Sequence, residues 1–167
     1  NLVNCIYEDK EGSLWIGTFG GGLNRFNRSD RSFTHYRHQA NNPNSLGDDR
    51  VNYLYEDSRG DFWVATQSGL NLYNRKNHGF ARYQNQEDKQ NIKGNNVIKI
   101  IQENKLGSLW LGSEDNGLFL FDPVRLSFKR YQHQEKIGSS LASNQNRSLL
   151  VDRKGELWVG SINGGLD

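Results

Sequence analysis

One stretch returns four times along the chain. It reads Gly12-Ser13-Leu14-Trp15-Ile16-Gly17-Thr18, then Gly60-Asp61-Phe62-Trp63-Val64-Ala65-Thr66, Gly107-Ser108-Leu109-Trp110-Leu111-Gly112-Ser113 and Gly155-Glu156-Leu157-Trp158-Val159-Gly160-Ser161. These copies use all 4 tryptophans of the 167 residues, at spacings of 48, 47 and 48. A period of that length lies between the propeller repeat lengths of about 40–45 and about 50 residues. A repeat this long is one supersecondary unit that cannot bury its apolar face alone, so successive copies must stack.

Each repeat reads as four strands. The first covers Val3 to Glu8, Val51 to Glu56, Ile98 to Glu103 and, more weakly, Ser148 to Val151; Val51, Tyr53 and Tyr55 alternate against Asn52 and Glu56, and Leu54 breaks the pattern. A turn follows at Asp9-Lys10-Glu11-Gly12 and its counterparts, where Asp or Asn bonds the turn backbone and Gly takes positive φ. The second strand carries the tryptophan, with Gly17, Ala65, Gly112 or Gly160 two residues on, on the same face, where an adjacent sheet approaches closely. The third strand runs Leu23 to Phe26, Leu70 to Tyr73 and Leu118 to Phe121. The fourth holds Phe33 and Tyr36, Phe80 and Tyr83, and Phe128 and Tyr131, each pair three apart and so on opposite faces. The expectation is an all-β chain, a β-propeller of four-stranded antiparallel blades at about 1–47, 48–94, 95–142 and an incomplete 143–167. Three and a half blades make an incomplete ring. Trp15, Trp63, Trp110 and Trp158, with Gly17, Gly112 and Gly160, are expected to be its packing device, each Trp→Ala change costing several kcal/mol.

Charge is nearly balanced, 21 Lys+Arg against 19 Asp+Glu, with no basic run, which argues against nucleic acid as a partner. There is no apolar run of about 18 residues to span a membrane. The chain begins at Asn1 and contains no Met, as expected of a piece of a longer protein, and no signal peptide is visible. The lone Cys5 takes the repeat position of Tyr53, Ile100 and Ser148, which favours packing over reactivity. An open blade edge invites another chain, so homo-oligomerisation through the edges is a further expectation.

With the motif laid out, the sequence resembles the two-component regulator propeller repeats. Their pattern is a strand ending Glu-Asp, a turn ending in Gly, Leu-Trp-Ile-Gly-Thr, Gly-Gly-Leu-Asn-Arg-Phe and Phe-x-x-Tyr. The first repeat fits nearly throughout, from Tyr7-Glu8-Asp9 through Asn24-Arg25-Phe26 to Phe33 and Tyr36; later copies depart at Ala65, Gln102, Asn104, Asn146 and Ser148. The resemblance implies a periplasmic or otherwise extracytoplasmic sensor region of a membrane-anchored signalling protein. Its output, outside this chain, would be a histidine kinase or a diguanylate cyclase, and its ligands would include oligosaccharides.

Candidate binding residues lie on the loop face. The 14-residue connections between blades place Asp49 and Arg50, Asn95 and Asn96, and Asn144 and Gln145 just before each first strand. The loops between second and third strands add Phe19, Gln67, Glu114, Asp115, Asn116 and Asn163. Amides, carboxylates and an Arg suit sugar hydroxyls or acidic sugars; the alternative is that they are solvated loop polars. His35 and His38 lack the further ligands of a metal site, Gly20-Gly21-Gly22 lacks the Lys-Ser/Thr of a phosphate loop, and no cofactor is expected. Asn27-Arg28-Ser29 and Asn146-Arg147-Ser148 match glycosylation sequons. The leading reading is a non-catalytic sensor propeller binding a small molecule or oligosaccharide. A propeller glycosidase or lyase, and a protein-interaction platform, are the alternatives.

Overall fold

The structure is a computed structural model that describes residues 2–84 and 97–167. Among the described residues every regular element is a strand. β1 (Leu2–Glu8), β2 (Leu14–Phe19), β3 (Leu23–Asn27) and β4 (Ser32–Tyr36) form one antiparallel sheet in chain order. β5 (Val51–Glu56), β6 (Phe62–Thr66), β7 (Gly69–Asn74) and β8 (Gly79–Tyr83) form a second. β9 (Ile98–Glu103), β10 (Leu109–Ser113), β11 (Leu118–Asp122) and β12 (Ser127–Tyr131) form a third. The last sheet has three strands, β13 (Asn146–Val151), β14 (Leu157–Ser161) and the two-residue β15 (Gly165–Leu166). The chain divides into two compact units, 1–84 and 85–167, each holding two of these propeller blades.

The hairpin between first and second strands is built by its acid. In the first blade the Asp9 carboxylate accepts the amides of Glu11 (3.1 Å) and Ser13 (2.8 Å) with Oδ1, and the Trp15 indole N–H with Oδ2 at 2.8 Å. Gly12 closes the turn at φ 78°. Asp57 repeats the arrangement with Asp61 (2.9 Å) and the Trp63 indole (3.0 Å). An aspartate is therefore tied to the tryptophan six residues later, a link stronger than turn preference because a charged acceptor is desolvated with its donor. Asn104 keeps the turn bonds to Leu106 and Ser108 with its single amide oxygen.

In the first unit the two sheets close over Trp15. Its indole stacks on Phe62 at 4.9 Å and meets Tyr73 edge-on at 4.9 Å, with Tyr36 and Phe80 around them. Trp15, Leu54, Phe62, Val64, Tyr73 and Phe80 form one buried cluster. In the second unit Trp110, Leu118, Leu149, Leu157 and Val159 make the equivalent layer. Trp110 is only half-buried there. Trp158 is 41% exposed. Burial of the tryptophan thus follows from the sheet packed over it, as the expected blade-on-blade packing requires.

Gly17 shows why small residues follow the tryptophans. A Cβ there would lie 2.5 Å from Cys5 Sγ of its own sheet and 2.6 Å from Val51 Cγ1 of the next; at Gly112 it would meet Ile100 at 2.7 Å and Asn146 at 3.2 Å. At Gly160 the near neighbour is Ser148 of the same sheet, so the close approach is partly internal to each blade. Gly17→Ala is expected to cost about 1–3 kcal/mol by overpacking, and Cys5→Ala in the same chain to recover part of it. Urea midpoints of the single and double variants measure both; additive losses would refute the clash. Burial also pushes the Cys5 thiol up to about 12, which makes it a packing group.

Candidate functional site

Every first strand carries a register slip at the same place. Pairing skips one residue between Val3 and Cys5, Val51 and Tyr53, Ile98 and Ile100, and Asn146 and Ser148. The extra residues are Asn4, Asn52, Lys99 and Arg147, each eleven before its tryptophan. Such bulges re-aim a side chain and shift the strand's parity. This explains Leu54: with Asn52 extra, Val51 and Leu54 share a face while Tyr53 and Tyr55 take the other. None of these four residues is singled out by composition or spacing; the break at Leu54 is their only trace in the sequence.

In the second unit the bulged residues meet the loop after β10. Glu114 lies between Lys99 (3.3 Å) and Arg147 (3.8 Å), one cation from each sheet. Beside it Gln145 donates to Asp115 at 2.8 Å, and the backbones are stitched by Glu114 N–H to Val97 O (3.3 Å) and Ile162 N–H to Gln145 O (2.9 Å). Glu114, Asp115 and Gln145 are thus brought together on one rim. Two cations, two carboxylates and an amide, partly exposed, offer donors and acceptors at several angles.

The first unit places Phe19, Arg50 and Gln67 together in the same manner. Phe19 bridges to Arg50 and is half-exposed; the Arg50 carbonyl accepts Gln67 N–H at 3.2 Å, and the Gln67 amide reaches Asn52 at 3.5 Å. The Arg50 guanidinium forks onto Asp48 at 2.9 and 2.8 Å. That pairing, against the opposing effect of burial, holds the Asp48 carboxyl below the usual range.

Two of the expected binding residues serve the scaffold. Asp49 accepts the amides of Gly20 and Gly22 with its carbonyl and that of His38 with its carboxylate at 2.6 Å. Asn144 does the same with Gly117 and with His133 at 2.8 Å. Both therefore pin loop to loop. Asn95 and Asn96 lie outside the described residues.

The long connections also repeat, contrary to their reading as free polar loops. His38 and His133 each direct Nδ1 to a carbonyl, of Leu46 (2.9 Å) and Leu141 (2.6 Å). Ser45 and Ser140 hydroxyls each accept the amide of Gln39 or Gln134 and donate back to its carbonyl. The signal was present as His-Gln and Ser-Leu pairs at equal distances from Trp15 and Trp110. His38 is thereby a loop brace. Asn146, the second sequon asparagine, is fully buried, which removes it as a glycosylation acceptor in the folded chain.

With this geometry established, likeness to other proteins carries more weight. The two-component regulator propeller family matches at residues 1–20, 45–68 and 140–163. The matched segments hold the first two strands and the intervening turn of the first, second and fourth repeats. A histidine kinase of Formosa agariphila is 33% identical over 62 residues, 37% of this chain and 4% of that protein. Among solved structures, the extracellular domain of a protein described as a hybrid two-component system of B. thetaiotaomicron superposes with a TM-score of 0.76 at 27% identity, over 97% of this chain and 19% of that one. A second such domain from the same organism gives 0.81 at 24%, over 100% and 23%. Virginiamycin B lyase from Staphylococcus aureus, at 13% identity, covers 99% of this chain and 54% of its own with a TM-score of 0.66, a likeness of fold alone. The chain thus spans about a quarter or less of the length of the histidine kinase and of the two extracellular domains it resembles.

Proposed function

We propose that this chain is part of the extracytoplasmic sensor propeller of a two-component-type signalling protein. In this reading it binds a polar small molecule, an oligosaccharide foremost, and does no chemistry itself. The observation that carries it is the 27% identity over 97% of the chain to an extracellular domain of the hybrid two-component class. The rim around Glu114 supports it: Lys99, Arg147, Asp115 and Gln145 supply the mixed donors and acceptors that sugar hydroxyls require. The hairpin carboxylates Asp9, Glu56 and Asp57 are engaged by Arg75, Lys10 and Arg59, which favours a scaffold role for them over acid–base work. Signalling would proceed by population shift, the ligand preferring one arrangement of the receptor.

A thermal-shift screen of this chain against a panel of neutral and acidic oligosaccharides tests the proposal. A true ligand at a hundredfold excess over its Kd stabilises by about 2.7 kcal/mol. The shift is expected to disappear in Arg147→Ala and Glu114→Ala, whose unliganded melting should change little. No shift with any member of the panel, or one that survives both variants, would refute binding at this rim.

A further inference from the structure

We propose that the cleft between the first two sheets is a second ligand site, one that takes an oxyanion: a phosphate, sulfate or carboxylate group, free or carried on a larger molecule. The cleft holds about 330 Å³ between the end of β4 and the β7–β8 hairpin, beside the connection that joins the two sheets. Small-molecule pockets run from about 300 to 1,000 Å³. Both sheets are four-stranded, consecutive and in one compact unit, so the cleft is made by the packing of whole blades. Tyr36 and Phe80, in edge-on contact at 5.7 Å, belong to its wall.

Three of its residues depart from their repeats, and each brings a donor that the scaffold leaves unused. Arg37 stands where the next two sheets are followed by Gln84 and Gln132, Asn44 where the later connection has Ser139, and His78 where the corresponding hairpins have Arg31 and Leu126. The exposed Arg37 guanidinium and the Asn44 side-chain amide have no partner among the described residues. His78 turns Nδ1 to the Tyr73 hydroxyl at 2.7 Å, and that hydroxyl, on a residue only 4% exposed, meets the Tyr36 hydroxyl at 3.1 Å. The imidazole is thereby anchored with its Nε2 left over. Its anchor also departs from the repeat, since the positions of Tyr73 in the first and third sheets hold Phe26 and Phe121.

Charge selects the ligand. No carboxylate lines the cleft. Behind its connection Arg82 donates to the Ser45 carbonyl (2.8 Å), the Ser45 hydroxyl (2.6 Å) and the Asn42 carbonyl (2.9 Å), all neutral acceptors that leave its charge uncompensated. Two guanidiniums beside a pocket of amide and imidazole donors favour a negative group, and the planar fork of Arg37 matches oxyanion oxygens in pairs. The rim around Glu114 differs in setting two carboxylates among its cations, so the two sites select different ligands.

Titration of the chain with inorganic phosphate at constant ionic strength, followed by amide chemical shifts, is the test. Shifts that saturate at millimolar phosphate are expected at Arg37, Asn44 and His78 and not at Glu114. Arg37→Gln, which installs the residue found after the other two sheets, is expected to weaken binding at least about tenfold. Its circular-dichroism melt should stay unchanged, because the guanidinium holds nothing in the fold. Asn44→Ser is expected to cause a smaller loss and Glu114→Ala none. Glucose 6-phosphate binding more tightly than phosphate would assign an anion carried on a larger molecule, and equal affinity a free one. Shifts that do not saturate, that chloride at the same ionic strength reproduces, or that persist unchanged in Arg37→Gln overturn the proposal, as does glucose binding as tightly as glucose 6-phosphate.

Discussion

Trp15→Ala is expected to lower the unfolding free energy by about 3–5 kcal/mol, among the largest losses available to a single change in this chain. The indole is fully buried, stacked on Phe62 and flanked by Tyr73. Some 200 Å² of aromatic surface at about 25 cal/mol per Å² gives about 5 kcal/mol as an upper value. The Asp9 carboxylate would also lose its indole donor, leaving an acceptor in a buried turn. Trp158→Ala makes the contrast, because that ring is 41% exposed and its loss should cost about half as much or less. Denaturant unfolding followed by circular dichroism, which does not depend on the indole, compares the two. Equal losses would show that burial between sheets is not what the tryptophan contributes.

Arg75→Ala is the second large effect, about 3–5 kcal/mol. The guanidinium reaches Asp9 (3.0 Å) and Glu11 (2.9 Å) in the first sheet's hairpin and Glu56 (3.0 Å) in the second sheet. Asp9 and Glu56 are buried, so removing Arg75 leaves two carboxylates without their cation. Burial would raise the Asp9 pKa, but the Trp15 indole, the Ser13 amide and Arg75 together hold it below the usual carboxylate range. Asp57 is held low against burial by Arg59, Trp63 and the Asp61 amide.

The sign of the pH dependence follows. A carboxyl with a depressed folded pKa stabilises fully above its unfolded value, about 3.9, and that contribution falls away as pH drops through the lower folded value. The wild type should therefore lose stability below about pH 4. The Arg75→Ala deficit should be greatest at neutral pH and shrink in acid, where protonation removes the charges left unpaired. Urea unfolding of both proteins between neutral and acid pH measures this; a deficit independent of pH would assign Arg75 a packing role only.

The same residues show how far the sequence could be read. Trp15, Gly12 and Gly17 announce strand, turn and close approach, because turn chemistry and period are local and recur with each copy. Asn52, Lys99 and Arg147 escaped notice since a bulge is an event of pairing: nothing at those positions differs from an ordinary strand residue until the opposite strand is in place. Asp49 and Asn144 looked available because their partners, His38 and His133, lie eleven residues back across a loop whose path the chain does not spell out.

Four copies of a strand–turn–strand motif with a tryptophan at a period of 47–48 were enough to determine an all-β chain of antiparallel sheets, since that spacing leaves each copy an apolar face to cover. Which tryptophans are covered, how Arg75 joins two carboxylates 19 and 66 residues away, and which loop polars pin the scaffold were decided only by tertiary packing. Each of these depends on side chains from separate repeats arriving at one point, where burial sets their energies.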